Sequence, residues 1–113
     1  MPGLTTHVLD LATGRPAQGV TVSLARQGDS GWVEMSERVT DADGRVRDFL
    51  GDGKSLEAGR YRLVFATGEY LRARGGAAFH PEIPVIFEVR DPTQHCHVPL
   101  LLSPFGYTTY RGS

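Results

Sequence analysis

The clearest strand pattern in this sequence is HCHVPLLL, residues 95–102. Successive side chains of a β-strand point to opposite sides of its sheet, so the even-numbered residues share one face and the odd-numbered residues share the other. The even face is apolar throughout, as expected of a strand that packs on a core, while the odd face combines His95 and His97 with Pro99 and Leu101. Because Pro99 has no N–H to donate to a neighbouring strand, we expect an irregular or edge position there.

Other segments show the same period-2 alternation and are separated by turn-forming residues. The predicted strands cover residues 5–11, 19–26, 32–39, 44–49, 60–66, 83–90, 95–102 and 107–111. Pairs such as Asp43-Gly44 and Asp52-Gly53 lie between them and favour turns. One segment, 68–74 (GEYLRAR), has the spacing of a short helix. Eight short strands and one helix predict an all-β fold, an antiparallel β-sandwich.

Composition limits the classes of protein and partner. The length of 113 residues is room for one domain, 1–113, and the 40% of hydrophobic and 22% of charged residues exclude a disordered tail and a membrane protein. Twelve Lys and Arg residues against thirteen Asp and Glu residues disfavour a nucleic-acid groove and an anionic membrane surface. A single cysteine, Cys96, excludes an internal disulfide, and the N-terminal residues contain no secretory signal. We therefore expect a cytoplasmic protein.

The two predicted strands that carry histidines are apolar on their second face as well. The odd face of 95–102 is largely apolar, and in 5–11 Val8 is expected to point to one side while His7 and Leu9 point to the other. A small sandwich covers only one face of each sheet, so a monomer would leave this patch in water. We therefore expect an oligomer.

Each residue that could carry chemistry also has an ordinary structural explanation. His95 and His97 share one strand face and resemble half of a metal site that His7 would complete; alternatively, His95 is a solvated residue at the strand start and only His97 matters. Cys96 lies on the predicted core face, where a free thiol is usually a small buried hydrophobe. Arg45 would ordinarily be a surface charge, and the closing YRGS a frayed end. No nucleotide-binding, nucleophile-elbow or zinc-protease motif occurs.

Taken together, four stretches resemble the transthyretin-like family across essentially the whole chain. They are HVLDLATGRPAQGVTV (7–22), GRYRLVFATGEYL (59–71), FHPEIPVIFEV (79–89) and CHVPLLLSPFGYTTYRGS (96–113). His7 in HVLD and the closing YRGS resemble the 5-hydroxyisourate hydrolase branch; the hormone-carrying transthyretins are similar in fold but lack both. Cys96 departs from the family pattern, which often has an aromatic residue there, and should affect packing only.

The resemblance implies a homotetramer of eight-stranded sandwiches. Two edge-to-edge pairs would stack and leave a channel, with the active sites at the dimer–dimer interface. The resemblance also implies that His7, Arg45 and His97 are catalytic and that His7, Arg45, Tyr110 and Ser113 bind the substrate. Neither a metal nor another cofactor is expected.

The implied reaction opens the lactam ring of 5-hydroxyisourate with water and gives 2-oxo-4-hydroxy-4-carboxy-5-ureidoimidazoline. One of His7 and His97 would take the proton of water, and Arg45 would bind the anionic substrate through its planar fork. Tyr110 would supply a ring wall and a hydroxyl, and Ser113 would close the site. The alternatives are a carrier that binds a small aromatic ligand in the channel without catalysis, and a purely structural sandwich.

Overall fold

A computed structural model of the chain describes residues 3–51 and 54–113. The predicted turn at Asp52-Gly53 lies outside these ranges. Within them the chain forms nine strands and one helix, one strand more than predicted. The elements are β1 (Leu4–Asp10), β2 (Arg15–Pro16), β3 (Thr21–Gly28), β4 (Gly31–Val39), β5 (Arg45–Val46), β6 (Gly59–Phe65), α1 (Thr67–Ala73), β7 (Ile83–Val89), β8 (Cys96–Leu102) and β9 (Tyr107–Thr109).

The strands form two layers, as the sequence predicted. The first sheet has the order β2-β1-β8-β9, with β5 also paired to β1, and the second has the order β4-β3-β6-β7. Six of the strand pairs in the described ranges are antiparallel, but β1 and β8 are parallel. The prediction of a wholly antiparallel sandwich was therefore wrong for this pair. Side-chain alternation fixes the faces of a strand and does not fix the direction of its neighbour.

The predicted strand at 44–49 was too long, since only Arg45–Val46 pairs with β1. The carboxylate of Asp48 accepts hydrogen bonds from the backbone N–H groups of Leu50 and Gly51, at 3.0 and 3.1 Å. A side-chain turn of this kind takes up backbone donors that a longer strand would use. The additional strand, β2, is a two-residue return of the chain against the end of β1.

The predicted faces of the two histidine-bearing strands are confirmed. On β8, Val98, Leu100 and Leu102 are buried in the core, and Cys96 is half-buried. On β1, Val8 is buried while His7 and Leu9 are half-buried on the opposite side. The core between the sheets is thus built from one face of each strand, and the histidines lie on the outer face of the first sheet.

Pro99 occupies the irregular position that its missing N–H predicts. The ladder between β8 and β9 includes Leu100 but stops before Pro99, and it is followed by an isolated bridge between His97 and Gly112. The Thr109 hydroxyl donates to the Pro99 carbonyl at 2.8 Å. The break lets the segment 110–113 leave the regular ladder and return beside His97.

The helix α1 begins and ends one residue before the predicted range. Its Tyr70 is buried and donates a hydrogen bond to the buried Asp10 carboxylate at 2.9 Å, which fastens the helix to the end of β1. Burial, followed by this hydrogen bond, raises the pKa of Tyr70. No helix in the described ranges is long and apolar enough to span a bilayer.

Candidate active site

Three basic side chains lie together on the outer face of the first sheet. His7 on β1 is paired with Arg45 on β5, and residues that are paired across an antiparallel ladder share a face. On the other side of β1, Thr5 is paired with His97 of β8, which places His97 on the same face. We call His7, Arg45 and His97 the histidine–arginine cluster. The structure therefore brings together the three residues predicted to be catalytic.

The electrostatics of the cluster act on His97. Partial burial is the largest cause that lowers the pKa of His97, and the positive charges of Arg45, His7 and His95 lower it further. A hydrogen bond with the backbone of Thr5 acts in the opposite direction. The net effect is a lowered pKa, so the His97 imidazole stays neutral at a lower pH than an ordinary histidine does. A neutral imidazole has the lone pair that a general base requires.

A tight turn sets the position of Arg45. Gly44, with φ of 75°, ends this turn, and its carbonyl accepts a hydrogen bond from the Val8 N–H at 2.7 Å. A Cβ at Gly44 would lie 2.4 Å from the Val8 carbonyl oxygen, so a larger residue would push the turn away from β1. The Asp41 carboxylate accepts the backbone N–H of Arg45 at 3.0 Å, which is the main cause that lowers the pKa of Asp41.

The guanidinium of Arg45 is available for a ligand. In the part of the chain that the structure describes, none of the ion pairs includes Arg45. Two residues along, Arg47 contacts both Asp41 and Asp43, at 3.4 and 3.0 Å. The acidic groups of the turn are thus taken by Arg47. Arg45 keeps a planar set of donors that suits an anionic heterocycle.

His7 is held as a hydrogen-bond donor. Its Nε2 lies 2.8 Å from the carbonyl oxygen of Asp43. A carbonyl oxygen only accepts, so Nε2 carries the proton and any free lone pair of neutral His7 is on Nδ1. His7 is thereby tied to the same turn that positions Arg45.

The segment 110–113 touches His97 within the same chain. The Gly112 N–H donates to the His97 carbonyl at 2.8 Å. A Cβ at Gly112 would lie 2.4 Å from Cδ2 of His97, which means that the backbone of the segment lies directly against the imidazole. Only glycine allows this approach without moving the ring.

Within one chain, Tyr110 lies on the other side of β8 from the cluster. Tyr110 and Arg111 line a cavity of about 540 Å³ with Cys96 and Val98, on the core side of β8 and opposite His97. The Arg111 guanidinium donates to the Gln94 side chain at 3.0 Å, and Ser113 is exposed. The predicted contribution of Tyr110 and Ser113 to substrate binding stays a prediction.

Sequence reasoning missed one polar side chain of the site, Thr5. Its Oγ1 lies 2.7 Å from Nδ1 of His97 and 2.9 Å from Nε2 of His95. Alternation places Thr5 on the His7 face, but only the parallel register of β1 and β8 places it opposite His97. The two histidines that were considered as half of a metal site thus meet at a hydroxyl. Among the described residues, no group of three His, Cys, Asp or Glu side chains is placed to hold a metal ion.

The chain is similar to known proteins over its whole length. A model of the HIUase/Transthyretin family matches residues 4–112. A 5-hydroxyisourate hydrolase of Caulobacter vibrioides is 49% identical over 117 residues, covering 100% of both chains. The structure of Klebsiella pneumoniae 5-hydroxyisourate hydrolase is 40% identical, with a TM-score of 0.87 over 100% of this chain and 94% of that one. Sea bream transthyretin in complex with thyroxine is 32% identical, with a TM-score of 0.90 over 96% of this chain and 93% of that one.

Shape does not separate the hydrolase from the carrier, because the two TM-scores are nearly equal. Sequence identity is higher to the hydrolase, at 40% against 32%. The fold, the match over residues 4–112 and the identity to relatives of the same length all agree. The chain belongs to the HIUase/Transthyretin family.

Proposed function

We propose that this chain hydrolyses 5-hydroxyisourate to 2-oxo-4-hydroxy-4-carboxy-5-ureidoimidazoline, a step of urate degradation. The observation that carries the proposal is the histidine–arginine cluster, in which two imidazoles share one sheet face with a guanidinium that belongs to none of the ion pairs among the described residues. The relative of C. vibrioides and the structural neighbour of K. pneumoniae, both named 5-hydroxyisourate hydrolase, support it. We take residues 1–113 as one catalytic domain.

His97 acts as the general base in this proposal. Its lowered pKa keeps the imidazole neutral at physiological pH, so it can accept a proton from the attacking water. His7 donates through Nε2 to the Asp43 carbonyl and therefore suits the task of orienting water or substrate. This division assigns proton transfer to His97 and orientation to His7.

Arg45 binds the substrate and stabilises the charge that develops on the attacked carbonyl oxygen. A guanidinium offers two parallel donors to adjacent acceptors, and its charge does not depend on pH in the physiological range. An oxyanion donor of this kind typically contributes roughly 10²–10³ in rate. Water attack with a base and a cationic donor balances without a metal or another cofactor.

A neighbouring subunit completes the site. The outer face that carries the cluster also presents Leu9 and Leu101, and Leu11 beside it is 55% exposed. An apolar surface of this kind favours association of two sheets. We propose a homotetramer whose active sites lie at the dimer–dimer interface, where Tyr110 and Ser113 meet the substrate. The free Cys96 fits a reducing compartment, and the cytoplasm is the proposed location.

The test is an optical assay. A urate oxidase generates 5-hydroxyisourate from urate in the cuvette, and the ultraviolet decay of the product is followed with and without catalytic amounts of this protein. We expect a clear acceleration. An unchanged decay rate, together with saturable binding of 5-hydroxyisourate or of a stable aromatic analogue, would support the carrier alternative instead.

The variants His97→Ala and His7→Ala should each lower turnover by about 10² or more, which is the typical contribution of positioned acid–base groups. The matched control is His80→Ala, since His80 packs between Phe79 and Tyr107, at 4.9 and 5.2 Å between ring centroids. The assembly should stay intact by size-exclusion chromatography in all three variants. A wild-type rate in either cluster variant would refute its assigned role.

A further inference from the structure

The hydroxyl of Thr5 connects two imidazoles on the outer face of the first sheet. Its Oγ1 lies 2.7 Å from Nδ1 of His97 and 2.9 Å from Nε2 of His95, both within hydrogen-bond distance. Thr5 and His97 are paired across β1 and β8, and His95 immediately precedes β8. The backbone register therefore holds these three hydrogen-bonded side chains in place.

The single hydroxyl hydrogen of Thr5 limits how these three side chains can be hydrogen-bonded. A hydroxyl has one hydrogen, so it donates to at most one of the two imidazoles and accepts from the other. Because Nδ1 of His97 is occupied by Thr5, the ring atom that remains for water is Nε2. Nε2 has a free lone pair in neutral His97 only when the proton is on Nδ1. In that state the Thr5 oxygen accepts from His97 Nδ1–H, and the Thr5 O–H is free to donate to His95.

We propose that Thr5 is a positioning residue that holds His97 in the Nδ1–H tautomer, with Nε2 of His95 as the acceptor that orients the Thr5 hydroxyl. The inference rests on the proposed function, in which His97 is the base. When Nε2 takes a proton from water, the Nδ1–H bond to Thr5 is already in place and stabilises the imidazolium. A base oriented by a third group is a general arrangement of hydrolytic sites.

The choice of a neutral partner suits the surroundings of His97. His7 on β1, Arg45 on β5 and His95 beside β8 all face it as positive or protonatable groups, and each lowers its pKa. On the side of the segment 110–113 it meets the backbone of Gly112. A hydroxyl fixes the direction of the ring without the charge of a carboxylate, which would raise the pKa of His97 and keep it protonated.

Two variants of Thr5 separate its hydroxyl from its packing. Thr5→Val keeps the shape and β-propensity of the side chain, whereas Thr5→Ser keeps the hydroxyl. We expect Thr5→Val to lower kcat about tenfold with a smaller change in KM, which is the size of one lost hydrogen bond to a charged group. Thr5→Ser should restore most of the rate. The matched control is Thr21→Val, because Thr21 is a half-buried strand residue on the other sheet.

The pH profile supplies a readout that a structural role would not move. Thr5→Val removes the hydroxyl acceptor and keeps the hydrogen bond with the backbone of residue 5. The lost acceptor favours the charged ring, so the acid limb of kcat/KM should move modestly to lower pH in Thr5→Val and return in Thr5→Ser. His95→Phe, which removes the acceptor, should reproduce part of the loss in kcat. Wild-type kcat and an unchanged acid limb in Thr5→Val would overturn the proposal.

The tautomer is measured independently of activity by ¹⁵N chemical shifts of the His97 ring in the intact protein. We expect a protonated Nδ1 and an unprotonated Nε2 at neutral pH in the wild type, and a mixture of tautomers in Thr5→Val. A wild-type protein that carries the proton on Nε2 would refute the inference even if it is an active hydrolase. A protein that lacks hydrolase activity but has the Nδ1–H tautomer would contradict the proposed function and leave the positioning by Thr5 standing.

Discussion

The outer faces of the two sheets differ in how their charged side chains are matched. On the second sheet, Arg62 donates to the Glu34 carboxylate at 3.3 Å, and its guanidinium lies 4.8 Å from the ring centroid of Trp32. On the first sheet, His7, Arg45 and His97 face one another, and the charges of Arg45 and His7 lower the pKa of His97. On the second sheet, the Arg62 guanidinium has a carboxylate and an aromatic ring beside it. On the first sheet, the three neighbouring side chains are all basic.

This difference indicates that the charge of Arg62 is structural and that the charge of Arg45 is functional. A cation paired with a carboxylate and an aromatic ring is already stabilised, and a substrate would have to compete with these partners. Basic groups that gather on one sheet face disfavour the charged form of their neighbours, and such perturbed sites are frequently functional. An anionic substrate would supply the missing charge.

The largest effect on the functional face of the first sheet is expected from removal of residues 110–113. This deletion takes away the Gly112 N–H bond to His97 and the backbone that lies against its ring, while β9 ends earlier, at Thr109. We expect turnover to be abolished and the far-ultraviolet circular dichroism of the sandwich to be retained. Normal turnover in the truncated protein would mean that the segment is merely a frayed end.

A point variant at Gly112 tests whether the close approach of this segment to His97 causes the loss of turnover. Gly112→Ala places a Cβ 2.4 Å from Cδ2 of His97, so either the ring or the segment must move. We expect a large fall in turnover with an unchanged circular dichroism spectrum. Activity equal to wild type would show that the close approach of the segment to His97 has no catalytic importance.

An exchange of arginine for lysine compares the two sheets directly. Arg45→Lys should lower kcat/KM by about 10- to 100-fold, because an ammonium keeps the charge but loses the planar pair of donors. Arg62→Lys on the other sheet should leave kcat/KM unchanged and lower the free energy of unfolding by less than about 1 kcal/mol. Full activity of Arg45→Lys would show that Arg45 is only a surface charge. Denaturant unfolding of both variants controls for changes in stability.

Much of the fold follows from local pattern. Val98, Leu100 and Leu102 of β8 and Val8 of β1 face the core as alternation predicts, because a strand in a small sandwich has one dry side. The parallel pairing of β1 with β8 could not be predicted in this way, because the two strands are far apart in sequence and no hairpin specifies their direction. The two-residue strands β2 and β5 are too short to show any period.

The candidate site depends on register more than on pattern. His7 and His97 could be assigned to an outward face from their own strands, but their proximity to Arg45 and Thr5 requires the pairing of three strands. Thr5 carries no signal in the sequence, since threonine is common in strands for its shape alone. Tyr110 lies on the core side of β8 within one chain, so its role depends on how subunits pack.

The smallest effect concerns pH and follows from the like charges of the cluster. Burial and then Arg45 hold the pKa of His97 below its ordinary value, so the acid limb of kcat/KM should lie below pH 6.5, with activity falling as pH drops through the pKa of the folded protein. Arg45→Gln removes one of the charges that disfavour the imidazolium, and the acid limb should therefore move to higher pH while the plateau rate falls. Arg62→Gln should leave the pH of the acid limb unchanged, because Arg62 lies on the other sheet and is paired there with Glu34. A flat profile from pH 5 to 8 would remove the histidine base from the mechanism. An acid limb that Arg45→Gln leaves in place would mean that the charge of Arg45 does not contribute to the pKa of His97.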